Sequence, residues 1–120
     1  MKRFVVGLAL GLSVSAFALL AQQMASDKVV LPQPLLDNPK INAVRWVLKP
    51  GEGTPLHTHK LDHVAVILQG STMKDVETDG KSRNVEQKTG EVVYVPGTGR
   101  THSFMNAGNT TLEIVSIDLK

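Results

Sequence analysis

The chain has 120 residues, with 13 Lys+Arg against 11 Asp+Glu and a formal net charge of +2. That length supports one small domain. Cysteine is absent, which excludes disulfide frameworks, thiolate nucleophiles, zinc ribbons, iron–sulfur sites and lipid-modified cysteine anchors.

Lys2 and Arg3 precede an apolar run from Phe4 to Ala21, and no acidic residue occurs before Asp27. A charged start followed by an apolar stretch is the layout of a secretory signal. We expect a signal peptide over residues 1–21, cleaved somewhere between 18 and 25. Ala16-Phe17-Ala18 meets the small-x-small rule, whereas Ala21 ends the apolar run. The 18-residue run also reaches the lower limit of a membrane span, so an uncleaved anchor is the alternative. Small residues within the run, and Gln22-Gln23 instead of a positive cluster after it, favour cleavage. The mature domain is then periplasmic or secreted, without a stable membrane anchor. Without Lys2 and Arg3 the basic and acidic residues balance at 11 each. A nucleic-acid binder loses its electrostatic footprint on that count. Trp46, Tyr94 and Phe104 are the aromatics left after the leader, too few for a stacking platform.

Residues 22–40 read as a proline-rich arm, with Pro32, Pro34 and Pro39 each lacking a backbone donor. The expectation is an extended, irregular segment. From Ile41 onward, short β-rich runs alternate with turn residues. They predict strands at Ala43–Leu48, His63–Leu68, Thr72–Thr78, Arg83–Gln87, Glu91–Val95, Thr101–Met105 and Thr111–Asp118. Asp79-Gly80 is a hairpin turn signal between two of them. No amphipathic helix follows the leader. The pattern indicates an all-β sandwich or barrel over 41–120. A core this small gains from dimerisation, with the proline-rich arm as the exchanged element, so a homodimer is expected.

The four histidines fall at His57, His59, His63 and His102. On an extended segment, residues i and i+2 point to one side, so His57 and His59 offer two imidazoles to one point. His63 has the same parity, but a bend or a new strand must bring it round. His102 is the remaining histidine able to close such a site from a distant strand. Imidazole is a common ligand for Mn, Fe, Cu, Ni and Zn. Isolated histidines usually bind nothing; four in two clusters favour a metal.

The segment Gly51–Gly70 resembles the first motif of the cupin superfamily: Gly51, five residues, His57-x-His59, three residues, His63, six residues, Gly70. His63 stands where cupins usually have glutamate. Gly90–Asn106 resembles the second motif through Gly90, Pro96, His102 and Asn106, with Gly99 one residue late. A spacer of 19 residues, Ser71 to Thr89, separates the two. The resemblance implies a single jelly-roll-like cupin β-barrel with a divalent transition metal (Mn, Fe, Cu, Ni or Zn) held inside its mouth by His57, His59, His63 and His102. It also implies a small-molecule substrate, and by family analogy a metal-dependent oxidoreductase of dioxygenase type.

Asp62 is an alternative carboxylate ligand, or a hydrogen-bond partner of an imidazole, although strand alternation turns it away from His63. Glu52 reads as a solvated turn residue. Arg45 and Arg100 read as exposed, with recognition of a substrate carboxylate as the other option. Trp46, Tyr94 and Phe104 are expected in the core or the pocket wall, and Met73 and Met105 in the core, with contact to the metal site from the mouth as the other option. No catalytic residue is singled out. The rival readings are a non-catalytic periplasmic module that captures a metal or small ligand, and a barrel without metal.

Overall fold

Residues 28–120 of the computed structural model are described; the expected signal peptide and the first residues of the arm lie outside them. Among the described residues there are nine strands and no helix: β1 Gln33–Asp37, β2 Ile41–Leu48, β3 His57–His59, β4 His63–Gln69, β5 Ser71–Glu77, β6 Ser82–Gln87, β7 Val92–Val95, β8 Arg100–Asn106 and β9 Leu112–Leu119. They form a five-stranded sheet in the order β1-β2-β9-β4-β7 and a four-stranded sheet in the order β3-β8-β5-β6. All named pairings are antiparallel. The fold is all-β, and each of the seven runs read from the sequence is a strand.

Two strands depart from that reading. The arm is not irregular throughout: β1 pairs with β2, with a register shift between Pro34 and Leu36. Proline is tolerated because β1 is an edge strand, where a missing N–H faces no partner. The second addition is β3, whose three residues are too few to read as a strand. It exists because β8 supplies a complete ladder, pairing His57 with His102, Thr58 with Thr101 and His59 with Arg100.

The core lies between the sheets. Leu48, Ile67, Leu112, Ile114, Trp46 and Phe104 form one buried cluster. Alternation along β2 sends Trp46 and Leu48 inward together. Below this cluster, Asn106 is fully buried and acts as a polar strut. Its Nδ2 donates to the carbonyls of Leu48 (2.9 Å) and Thr110 (2.7 Å), and its Oδ1 accepts from Ser71 Oγ (2.8 Å) and Gly108 N (3.0 Å). With both amide groups satisfied, its burial carries no desolvation penalty left unanswered.

Candidate metal centre

The barrel encloses a cavity of about 420 Å³ lined by both sheets, and all four histidines line it. Register explains how. β3 carries His57 and His59 on one face, and its ladder sets His57 directly across from His102 on β8. His63 is the first residue of β4, in the opposite sheet. The chain crosses from one sheet to the other between His59 and His63, which brings the third imidazole of the cluster round.

Donor atoms of His57, His59 and His102 all lie within 4.8 Å of one another. His63 is outside that tight group and stacks on His59, with ring centroids 4.4 Å apart. The tautomers follow from the partners. Nδ1 of His57 lies 2.8 Å from the Pro55 carbonyl, so it must donate. Nδ1 of His102 donates to Asp75 Oδ1 at 2.6 Å. Each neutral ring therefore keeps a lone pair on Nε2. Nε2 of His59 lies 2.8 Å from Nε2 of His102. Two nitrogens that share one ion at about 2.0–2.1 Å, at right angles, are separated by about 3 Å, so this pair already has nearly the span an ion needs.

Burial favours the neutral form of His57, His59 and His63. It pushes His57 and His63 below the ordinary histidine value, and it takes His59 down to about 4, helped by the neighbouring His63, His57 and His102 and by Arg100. Neutral imidazole is the form that ligates. Nδ1 of His63 is buried with no hydrogen-bond partner, the kind of polar atom that a bound ion or ligand satisfies. The donor set fits a borderline divalent transition ion, which imidazole nitrogen suits.

Behind the histidines, the floor is aromatic. Trp46 stacks on His57 at 5.9 Å, and Phe104 meets His57 edge-on at 5.9 Å. Beside them, Asp75 is 3% exposed. Burial pushes its carboxyl up, but hydrogen bonds from Arg100 and His102 outweigh this and hold it below the ordinary value. Arg100 Nη2 donates to Asp75 Oδ2 at 2.8 Å, and Arg100 also pairs with Glu77. Asp75 thus orients His102 in the way a carboxylate behind a metal-ligating histidine does.

The other residues singled out in the sequence fall partly where expected and partly elsewhere. Asp62 is not at the centre: its Oδ1 accepts from Gly97 N at 2.8 Å and its other oxygen from the Tyr94 hydroxyl. Tyr94 is exposed rather than in the core or cavity wall, because alternation along β7 turns Val93 and Val95 to the cavity and Tyr94 outward, where it meets Asp62. Arg45 pairs with Glu113. Glu52 Oε2 accepts from Lys49 N at 2.8 Å, as a turn residue would. Met73 lines the cavity as well as packing on the core. The late Gly99 does not displace His102. It takes a φ of +77°, open to glycine at little cost, and its N donates to the His59 carbonyl at 2.8 Å. The extra residue is absorbed in the loop.

Sequence reasoning missed Asp75, Arg83 and Asp118, all of which line the cavity. Parity was the available signal: Asp75 shares the inward face of β5 with Met73, and Asp118 that of β9 with Ile114.

The cupin domain family matches residues 44–118. The chain belongs to the cupin family. Among solved structures, a cupin domain from Bordetella pertussis Tohama I is 25% identical, with a TM-score of 0.70, over 77% of this chain and 94% of that one. An RmlC-like cupin with a double-stranded β-helix fold from Methanocaldococcus jannaschii is 22% identical, with a TM-score of 0.59, over 77% of this cupin and 81% of its own length. The polyketide cyclase RemF from Streptomyces resistomycificus is 25% identical, with a TM-score of 0.56, over 73% of this chain and 63% of RemF. None of the curated proteins matches this cupin.

Proposed function

We propose that this cupin holds a divalent transition metal through His57, His59 and His102, with His63 as the fourth nitrogen, and uses it on a small oxygenated substrate bound in the barrel. The observation that carries the reading is the tautomer arrangement: Pro55 and Asp75 take the Nδ1 protons of His57 and His102 and turn both Nε2 acceptors toward His59, whose Nε2 meets that of His102 at 2.8 Å through a proton that a metal would displace. A metal so held supplies a Lewis-acidic point with neutral ligands, so its positive charge is not offset and oxygen donors are drawn to it. The chain's own residues do the rest. Asp75 and the Pro55 carbonyl fix the imidazoles, Trp46 and Phe104 exclude water from their inner side, and Asp118 on β9 is a carboxylate in the cavity able to accept or return a proton.

We place the reaction class as oxidoreductase of dioxygenase type. The rival is capture of a metal or small ligand without turnover. RemF is a polyketide cyclase, so chemistry other than oxidation is also represented among similar folds. Export to the periplasm or beyond belongs to the same proposal, supported by Lys2-Arg3 and the apolar run that follows. So does a homodimer, supported by Leu31, Leu35 and Leu36, which are exposed on and beside the edge strand β1.

The test is elemental analysis of protein expressed with export intact, beside His59→Ala and His102→Ala. Near-stoichiometric Fe, Mn, Cu or Ni that falls in both variants is the expected result. Oxygen uptake with diols, flavonols and β-diketones then separates turnover from capture. No metal in the wild type, even after reconstitution, overturns the reading.

A further inference from the structure

One side of the cavity carries an arginine that the metal does not explain. β6 is the edge of the four-stranded sheet, and its alternation points Arg83, Val85 and Gln87 into the cavity. Among the described residues, Arg83 and Arg100 are the two arginines lining it, and no lysine does. They are not equivalent. Arg100 is committed, with its guanidinium donating to Asp75 and Glu77. Arg83 has Asp75 as its one ion-pair partner among the described residues, at 3.7 Å, longer than a hydrogen bond. That same oxygen, Asp75 Oδ2, already receives Arg100 at 2.8 Å, and Oδ1 receives His102 at 2.6 Å. Asp75 has little left to offer, so the fork of Arg83 has donors to spare. Its side chain is 74% exposed, which leaves it room to swing onto a ligand. The other cavity carboxylate, Asp118, is on the facing sheet beside His63, away from Arg83. Much of the remaining wall is apolar, including Val44, Ala65, Ile67, Val85 and Ile114.

We propose that Arg83 recognises a carboxylate at the mouth of the cavity, and that the cavity takes a small organic acid with an apolar body. A planar guanidinium with unpaired donors matches a carboxylate bidentately, and the apolar wall takes the remainder of the molecule. The acid group lies against Arg83, and the body reaches toward the histidines. This rests on the reading of the barrel interior as a ligand site and is independent of which metal it holds.

The test compares acids with their neutral amides. Acetate, hexanoate, benzoate and phenylacetate, each beside its amide, are titrated into the full mature protein and followed by NMR at the cavity methyl groups. The proteins are wild type, Arg83→Gln, Arg83→Lys and, as a control outside the cavity, Arg45→Gln. Each is measured stripped with chelator and again loaded with zinc. We expect at least one acid to bind about tenfold or more tightly than its amide in both states. Arg83→Gln should abolish that preference and leave amide binding unchanged. Arg83→Lys should restore part of it, and Arg45→Gln should behave as wild type. Equal binding of acid and amide, or no acid binding below about 10 mM, overturns the proposal. So does a preference that survives Arg83→Gln. A preference seen only with zinc bound and indifferent to Arg83 places the acid on the metal, which overturns this inference and leaves the metal centre standing. Absent zinc uptake with an Arg83-dependent preference does the reverse.

Discussion

His57 and His102 are cross-strand neighbours on β3 and β8, with ring centroids 4.7 Å apart. The ladder between these strands thereby joins the two histidine-bearing segments of the chain. His59 extends the same face, and His63 reaches in from the other sheet. The four are therefore not interchangeable. We expect His59→Ala or His102→Ala to lower metal affinity far more than His63→Ala, since the tight donor group is His57, His59 and His102. Competition against a metallochromic chelator measures it. His63→Glu, which installs the carboxylate usual at this position in cupins, should still bind metal. Equal losses in all three alanine variants would show that His63 holds the ion as strongly as the other histidines, and that the separation seen here closes on binding.

Asp75 is the next link, because it holds the Nδ1 proton of His102. Asp75→Asn keeps the shape and removes the charge. It also turns one hydrogen-bond acceptor into a donor that faces either His102 or Arg100. We expect metal affinity to fall by about 10- to 100-fold, the usual effect of losing a carboxylate behind a ligating histidine. Far-ultraviolet circular dichroism should stay β-like. An unchanged affinity by the same competition assay would mean that the tautomer of His102 is set without Asp75.

Much of this was legible in the chain because the relevant signals are local. Apolar runs between turn residues located seven strands, and the parity of His57 and His59 is a two-residue property. What stayed hidden depends on distant partners. β3 has only three residues and owes its existence to β8. β1 reads as a proline-broken arm, and becomes a strand because β2 offers it an edge. Tyr94 has the composition of a core residue, and faces out where Asp62 accepts its hydroxyl. Asp75 is a charged residue in a strand of mixed character. Only the converging Arg100 and His102, which lie 25 and 27 positions away, make its burial tolerable.

Asn106 tests the frame rather than the site. Its amide donates to two carbonyls, those of Leu48 and Thr110. Asn106→Asp points a carboxylate oxygen at one or both of them in a fully buried position. Repulsion and lost hydrogen bonds should cost about 3 kcal/mol, seen as a fall in Tm of more than about 10 °C for a domain of this size. Asn106→Ala should lose a similar amount by leaving the carbonyls unpaired. A shift of Tm within about 2 °C for both variants would show that the strut is dispensable.

The histidines also set how the metal-free protein responds to acid. His57, His59 and His63 are each held below the ordinary histidine value of 6.5 in the folded state, chiefly by burial, and His59 falls to about 4. Below pH 6.5 the unfolded chain therefore takes up protons that the folded chain refuses. Stability rises with pH wherever the unfolded state binds more protons. The metal-free protein should accordingly lose stability as pH falls from about 6.5 toward about 4, and these groups should contribute no further change above that window. Asp75 is also depressed, from an ordinary value of 3.8, so its loss belongs to still lower pH and is separable. Thermal melts of chelator-treated protein at steps between pH 7 and pH 4.5 should show Tm falling, with a shallower fall in His59→Ala. Adding metal at pH 7 should raise Tm by an amount that grows with concentration, since an ion that binds only the folded chain stabilises it. That gain should shrink as protons compete for the same nitrogens. A Tm that does not change between pH 6.5 and pH 4.5 in the metal-free protein would show that the imidazoles are already solvated, and that burial does not hold them neutral.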